Sequence, residues 1–236
     1  MVKKVLAAAV ITVISLFGGI ASAQMSGDLG FDSQYVNATD KLADNGPVVQ
    51  GDVKYNWEGM YVKGWFSQST RHPGFDRTTG NEVDLTPFGV GGKIVGKWSG
   101  DVHASYFDLA DDRLFDGLNG DVVYVGGTLT YSVSATTNVY ATAASYSGLG
   151  KKGCRHFWQF IGGVRTEIFG VVDADASGYD MSNSGGGFFK LSAEPKAVIA
   201  KIVGGKLQPS LTFWQPFGEY SKSHDTHVVV GLGLHW

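Results

Sequence analysis

The segment His227–Trp236, HVVVGLGLHW, ends the chain with side chains that alternate in character. In an extended strand, successive side chains point to opposite faces. One face of this segment is apolar and carries Val228, Val230, Leu232, Leu234 and Trp236. The other face is mostly small or polar and carries His227, Val229, Gly231, Gly233 and His235. The pattern predicts a β-strand with one apolar face and an aromatic residue at its end.

The composition extends this β prediction to the whole chain. Glycine occurs 34 times in 236 residues, proline occurs only 6 times, and no window has a heptad pattern. These features favour a single domain of many short strands joined by turns. The net charge of −3 argues against nucleic acid as a partner, because phosphate binding needs clustered Lys and Arg. Cys154 is the only cysteine, so the chain has no internal disulfide framework.

The first residues are typical of a secretory signal peptide. Lys3-Lys4 is basic, Val5–Ile20 is apolar, and Ala21-Ser22-Ala23 has the small residues of a cleavage site. We therefore predict a signal peptide over residues 1–23, cleaved after Ala23, and export of the mature chain. The apolar run is shorter than the roughly 20 residues that a membrane-spanning helix needs.

A first hairpin is predicted around Glu58-Gly59. Both Val49–Trp57 and Met60–Ser69 alternate, and a two-residue turn places Trp57 opposite Met60, Tyr55 opposite Val62 and Lys54 opposite Lys63. The apolar faces of the two strands then coincide, as a wall with one apolar side requires.

Two more hairpins follow from the same rule. A loop at Ser99-Gly100-Asp101 pairs Trp98 with Val102 and Ile94 with Tyr106. A loop over Ser134–Asn138 pairs Val133 with Val139 and Tyr131 with Ala141. In both hairpins the apolar faces coincide.

The short turns alternate with long polar connections. These are Arg71–Asn81, Asp111–Gly120, Gly148–His156 and Pro216–Thr226. The alternation is typical of outer-membrane barrels, which have short periplasmic turns and longer extracellular loops.

The remaining strands complete the count. Leu29–Ala38 predicts a first strand, with Phe31 and Tyr35 on one face. Two strands must lie between Phe188 and Trp214, with a turn either at Glu194-Pro195 or at Gly204-Gly205. The sequence thus predicts an all-β, antiparallel, transmembrane up-and-down β-barrel of about twelve strands, over residues 24–236.

The opening half of the mature chain resembles the TorF-type porin family of small bacterial envelope proteins. The resemblance rests on Gly46–Tyr55, Glu58–Trp65 and Glu82–Leu85, and it extends over Leu29–Gly148. It implies an outer-membrane barrel with a channel role. The last strand also resembles the terminal signal strand of bacterial outer-membrane barrels, which implies that the barrel-assembly machinery recognises the strand ending at Trp236.

If the apolar faces meet lipid, the opposite faces line the lumen with ionisable groups. The predicted pore-lining residues are Lys54, Lys63, Lys93, Lys97, Arg165, Asp52, Glu167, Asp173 and Asp175, with His103 and Lys190 on the same faces. A dry core would not accept so many charges. The pairs Lys54–Lys63 and Lys97–His103 favour a modestly basic lining that prefers anions. Alternatively, the carboxylates neutralise the basic groups in a closed plug of salt bridges.

Several aromatic residues lie near strand ends on the apolar faces. They are Trp57, Trp98, Trp158, Trp214 and Trp236, together with Tyr55 and Tyr106. This position is typical of the aromatic girdles of membrane barrels.

The function that these patterns favour is a porin-like channel in the cell outer membrane. Its partners would be outer-membrane lipid, the barrel-assembly machinery and small hydrophilic solutes that diffuse passively; we expect no catalytic residue, cofactor or metal site. The alternatives are a closed structural or partner-binding barrel, a soluble secreted β-protein, and an outer-membrane lipid hydrolase. The hydrolase interpretation depends on the loop histidines His72, His156 and His224.

Overall fold

Twelve long strands form a closed antiparallel barrel. The computed structural model describes residues 24–36, 42–44, 46–71, 82–108, 122–149, 156–182, 185–196, 200–202 and 205–236. The barrel strands are β1 (Gln24–Asp32), β2 (Val48–Trp57), β3 (Met60–Ser69), β4 (Glu82–Val95), β5 (Trp98–Asp108), β6 (Val122–Ser132), β7 (Thr137–Gly148), β8 (Phe157–Ile168), β9 (Val172–Met181), β10 (Gly186–Pro195), β11 (Gly205–Gly218) and β12 (His227–His235). Each strand pairs with the next, and β12 pairs with β1. The predicted fold class is confirmed, whereas the predicted signal peptide lies outside the described residues.

Short elements accompany the barrel strands. Tyr35–Val36 pairs with Leu42–Asp44, Ala200–Ile202 pairs with the start of β11, and Glu219–Lys222 forms one 3-10 turn. In the described ranges, no helix has both the length and the apolar character needed to cross a membrane.

The first predicted hairpin is confirmed in its register. Trp57 pairs with Met60, Tyr55 with Val62 and Lys54 with Lys63. Gly59 has a φ of +83°, a value that a two-residue hairpin turn requires and that glycine adopts without strain.

The second predicted hairpin has the wrong turn. The chain turns at Gly96-Lys97, where Gly96 has a φ of +55°, and Val102 pairs with Val90 instead of Trp98. The predicted partner Trp98 and the observed partner Val90 are an even number of residues apart, so both lie on the apolar face of β4 and β5. The agreement of the apolar faces therefore could not reveal that the turn was misplaced.

The third hairpin and the first strand also differ from prediction. Tyr131 pairs with Val139 instead of Ala141, because the loop occupies residues 133–136. The first strand ends at Asp32, since the Ser33 amide donates to the Val230 carbonyl at 2.8 Å and the chain then folds inward. Phe31 consequently faces outward, whereas Tyr35 is buried inside the barrel.

Of the two candidate turns between Phe188 and Trp214, the one at Gly204-Gly205 agrees with the strand pairing, because Ile202 pairs with Gly205. Glu194 and Pro195 are instead the last residues of β10 and pair with Asp173 and Val172 of β9. Strand β10 and the segment Ala200–Ile202 both pair antiparallel with β11, so the chain reverses direction once, after Ile202.

The outer face of the barrel is apolar. Its exposed side chains include Leu29, Val125, Val164, Leu191, Leu211 and Val230. Trp98, Trp158 and Trp236 are also exposed, as predicted for an aromatic girdle. Trp214 is an exception that corrects the prediction, because it is only 7% exposed and belongs to an interior cluster.

The two ends of the barrel differ. One end of the barrel contains four short turns, the start of β1 and the end of β12. Gln24 pairs with Asn56 there, and we call it the turn end. Most of the longer connections lie at the opposite end, the loop end; the nine-residue β10–β11 connection, residues 196–204, is the exception at the turn end. The barrel therefore has the asymmetry of turns and loops that outer-membrane barrels show.

Candidate functional site: the barrel lumen

The inward faces of the strands enclose several cavities, and the largest of them shares lining residues with two of the others. A cavity of about 700 Å³ occupies the loop-end half and continues along β10 and β11. Smaller cavities of about 460, 330 and 150 Å³ lie toward the turn end. The large cavity is lined by side chains from strands on all sides of the barrel, which identifies it as the lumen.

Ion pairs dominate the turn-end half of the lumen. Lys63 Nζ lies 2.5 Å from Asp52 Oδ2, and Arg165 Nε lies 2.7 Å from Asp175 Oδ2. Lys196 forms an ion pair with Glu167, and its ammonium lies 3.4 Å from Asp173 Oδ1. Six of the predicted pore-lining residues therefore lie on the inner wall as members of ion pairs.

The other three predicted basic residues have different surroundings. Lys54 Nζ lies 3.8 Å from the centre of the Tyr61 ring on the inner wall. Lys93 is exposed near the end of β4, where it pairs with Ser99. Lys97 lies in the β4–β5 turn and donates to the Val133 carbonyl at 3.0 Å, so its prediction as a lumen residue opposite His103 is wrong. The error follows from the misplaced turn.

A repeated arrangement braces the inner wall across three strands. Tyr61 on β3 crosses Gly89 on β4, and its hydroxyl donates to Asp101 on β5 at 3.1 Å. His103 shares that carboxylate at 2.7 Å. Because the glycine has no side chain, the ring lies flat on the neighbouring strand.

The same arrangement recurs on the opposite part of the wall. Tyr140 on β7 crosses Gly163 on β8 and donates to Asp175 on β9 at 2.9 Å. The Arg165 guanidinium carbon lies 4.4 Å from the centre of that ring. Each tyrosine thus joins a cation and a carboxylate, which fixes the charges against the wall.

Aromatic side chains fill part of the loop-end half. Tyr124, Tyr146, Phe157, Phe188, Trp214 and Tyr220 form a buried cluster with Val122, Ala144 and Met181. Tyr146 and Phe157 stack with ring centres 4.6 Å apart, and Phe188 lies 5.1 Å from Trp214. The cluster narrows the lumen, and its members Tyr146, Phe157 and Trp214 form part of the wall of the large cavity.

The β1–β2 connection folds into this half of the lumen. Tyr35 is 7% exposed, lies 5.7 Å from the Trp65 ring and donates a hydrogen bond to Glu82. Burial and the Glu82 carboxylate raise the pKa of the Tyr35 hydroxyl well above its usual value, so it remains a donor. Ser33 and Gln34 attach the segment to the backbone of β12.

Several charged residues of the lumen are not among the predicted pore-lining residues. Lys196 follows the last residue of β10, and Asp32, Glu82, Asp84 and Glu194 line the large cavity. Glu194 could have been predicted, because it lies four residues after Lys190 on the same strand and therefore on the same, inner face. Asp32 could not, because the first strand was predicted to continue past it.

The loop histidines do not form a catalytic triad within the described chain. His156 Nδ1 contacts the Tyr146 carbonyl at 3.0 Å and Ser147 Oγ at 3.2 Å, and His224 stacks on Tyr220. No ion pair joins either of these two histidines to a carboxylate in the described ranges. His72 lies outside the described residues.

The fold is that of outer-membrane porins and channels. No protein-family model and no curated protein sequence matches the chain. The chain is similar in structure to the KdgM porin, at 10% identity and a TM-score of 0.57 over 89% of this chain and 98% of that one. It is also similar to the NanC porin, at 10% identity and a TM-score of 0.55 over 90% and 99% of the two chains. An outer membrane channel from Pseudomonas putida F1 has 8% identity and a TM-score of 0.51 over 92% and 96%.

Proposed function

We propose that this protein is an outer-membrane channel through which small hydrophilic solutes diffuse passively. One observation carries the proposal: a closed barrel with an apolar outer face encloses cavities in both halves of its lumen, and charged side chains line each of them. A dry protein core would not contain so many charged side chains, whereas a channel for hydrated solutes does. The similarity to porin structures supports the fold on which the proposal rests.

The proposed lining consists of inner-wall residues. It includes Asp52, Lys54, Lys63, Arg165, Glu167, Asp173 and Asp175 from the sequence prediction, with Lys93 at the turn-end mouth. The anion preference expected from the sequence does not form part of this proposal. Lys63 and Arg165 each share their charge with a carboxylate, so little net positive charge remains on the wall.

Conductance in a planar lipid bilayer tests the proposal. We expect the purified, refolded protein to give discrete current steps, because charged and polar side chains line cavities in both halves of the lumen. The same preparation unfolded by heat is the control. Absence of steps from protein whose insertion and heat-sensitive electrophoretic mobility show it to be folded would contradict the channel function.

A closed barrel is the second candidate, and a specific observation favours it. The Tyr35 segment and the aromatic cluster both occupy the loop-end half of the lumen. In a closed barrel, replacing Trp214 and Phe188 by Ala would create the conductance that the wild-type chain lacks.

Neutralisation of the basic pair on β2 and β3 should change ion selectivity. We expect Lys54→Gln with Lys63→Gln to shift the reversal potential toward cation preference, since two positive charges disappear and Asp52 loses its partner. Thr128→Ala, on the inner face of β6, is the control. An unchanged reversal potential would exclude both lysines from the selectivity of the pore.

The remaining assignments follow from the same proposal. The apolar outer face would contact outer-membrane lipid, and the strand ending at Trp236 would engage the barrel-assembly machinery. Membership of the TorF-type family, cleavage after Ala23 and the lack of catalytic activity stay predictions. N-terminal sequencing of the mature protein would test the cleavage site.

A further inference from the structure

We infer that the start of the β1–β2 connection forms the constriction of the channel and that Tyr35 holds it in place. The inference rests on the proposed channel function and names the residue that limits the size of its solutes. The residues concerned are Ser33–Val36, which follow β1 and fold into the loop-end half of the lumen; we call them the inner segment. Hydrogen bonds and packing contacts join this segment to the barrel on three sides.

Two neighbouring residues of the inner segment contact distant strands of the wall. The Gln34 side chain donates to the Val228 carbonyl of β12 at 3.0 Å. The Tyr35 hydroxyl donates to Glu82 of β4, and the Tyr35 ring centre lies 5.7 Å from that of Trp65 on β3. In the barrel, β1 and β2 lie between β12 and β3. The inner segment therefore crosses the lumen in front of β1 and β2.

The aromatic cluster, which is built mainly on β6–β11, is the third side. Val36 packs against this cluster, and so does Val229 of β12, next to the residue that Gln34 binds. Phe107 of β5 also packs against the cluster, and its ring centre lies 5.5 Å from that of Tyr124. The inner segment thus joins β3 and β4 to the cluster across the lumen. A solute that enters from the loop end must pass the inner segment to reach the large cavity, which the segment lines.

Both ends of the β1–β2 connection are fixed to the wall independently of Tyr35. The Ser33 amide donates to the Val230 carbonyl at 2.8 Å, and the Val230 amide donates to Ser33 Oγ at 3.0 Å. At the other end, the Thr70 amide and hydroxyl donate to the Pro47 carbonyl at 3.0 and 2.8 Å. Removal of the Tyr35 side chain therefore leaves both ends attached and releases the crossing part of the segment from β3 and β4.

Uncharged solutes of graded size provide the test, because their permeation does not depend on the charge of the lumen. Liposomes that contain the refolded protein are diluted into arabinose, glucose, sucrose or raffinose, and each swelling rate is divided by the rate in arabinose. We expect Tyr35→Ala to raise these relative rates for the larger sugars by at least about twofold, since the pore widens where the segment crosses it. The single-channel conductance in KCl should also rise.

Two further variants separate a constriction from general loosening of the barrel. Tyr131→Ala is the matched control, because it removes the same side chain from the outer face of β6, where the ring centre lies 4.9 Å from that of the exposed Trp98. It should leave the relative sugar rates unchanged. Val36→Trp adds bulk where the segment meets the cluster, so it should lower the conductance by at least about half. It tests the constriction even if Tyr35→Ala does not fold.

The outcomes distinguish this inference from the proposed function. If the wild type gives current steps and Tyr35→Ala or Val36→Trp leaves conductance and sugar rates unchanged, the inference is wrong and the channel function stands. An effect of Tyr131→Ala as large as that of Tyr35→Ala would likewise overturn the inference alone. Absence of steps from folded, inserted wild type and from Tyr35→Ala would overturn both. Steps from Tyr35→Ala alone would overturn the channel function of the wild type and support the inner segment as the obstruction.

Discussion

Leu211→Lys is expected to destabilise the barrel in lipid by about 2–4 kcal/mol, the cost of a basic side chain at the middle of a lipid-facing strand. Leu211 is 48% exposed on the outer face of β11, near the middle of the strand. In a bilayer its replacement would place an ammonium group in hydrocarbon. The midpoint of reversible urea unfolding in lipid vesicles or in detergent provides the measurement.

The adjacent residue is the matched control. Thr212 faces the lumen, lines the large cavity and donates a hydrogen bond to Ser192 at 3.2 Å. Thr212→Lys should cost only about 0.5–1.5 kcal/mol, the net value of that hydrogen bond, because water reaches the new ammonium. If Leu211→Lys were neutral and the protein remained soluble without detergent, the outer face would not contact lipid.

Gly163→Val should destabilise the barrel by about 1–3 kcal/mol, the usual cost of overpacking, because it displaces the Tyr140 ring. A Cβ atom at Gly163 would lie 2.5 Å from Tyr140 Cζ and Oη. The ring would have to leave the wall, and with it would go the hydrogen bond to Asp175 and the contact with Arg165.

The preceding glycine offers a control on the opposite face. Gly162 points outward, and a Cβ there would have no atom within 4 Å, so Gly162→Val should be neutral or stabilising in lipid. In a Tyr140→Ala background, Gly163→Val should cost much less than in the wild type. Equal costs in the two backgrounds would show that the ring does not need the glycine.

The side of the barrel wall on which a side chain lies could be predicted from the sequence more reliably than the pairing register of neighbouring strands. The outward positions of Val90, Ile94, Trp98 and Val102 were predicted correctly although the turn between them was misplaced. Alternation has a period of two residues, so any even displacement leaves every face unchanged. The correct register depended on Gly96, whose positive φ defines the turn and which the sequence does not distinguish from nearby Gly92 and Gly100.

The lumen was only partly predictable for a related reason. Asp52, Arg165 and Asp175 were placed on the inner wall because their strands are regular over their whole length. Trp214 was assigned to the outer face because tryptophan near a strand end suggests a girdle, yet the interior cluster buries it. Asp32 and Tyr35 depend on where the first strand ends, and that end is determined by hydrogen bonds to residues at the other end of the chain.

The attachment of the β1–β2 connection has a consequence for the timing of assembly. Gln34 and Ser33 bind the backbone of Val228 and Val230, across sequence separations of 194 and 197 residues. The strand that they bind is also the last to be synthesised among the twelve, and it completes the ring by pairing with β1. The inner segment can therefore reach its final position only when the wall itself is complete. Contacts between residues so far apart in the sequence form slowly in folding. Closure of the barrel by β12 and placement of the β1–β2 connection inside the lumen therefore occur in one step.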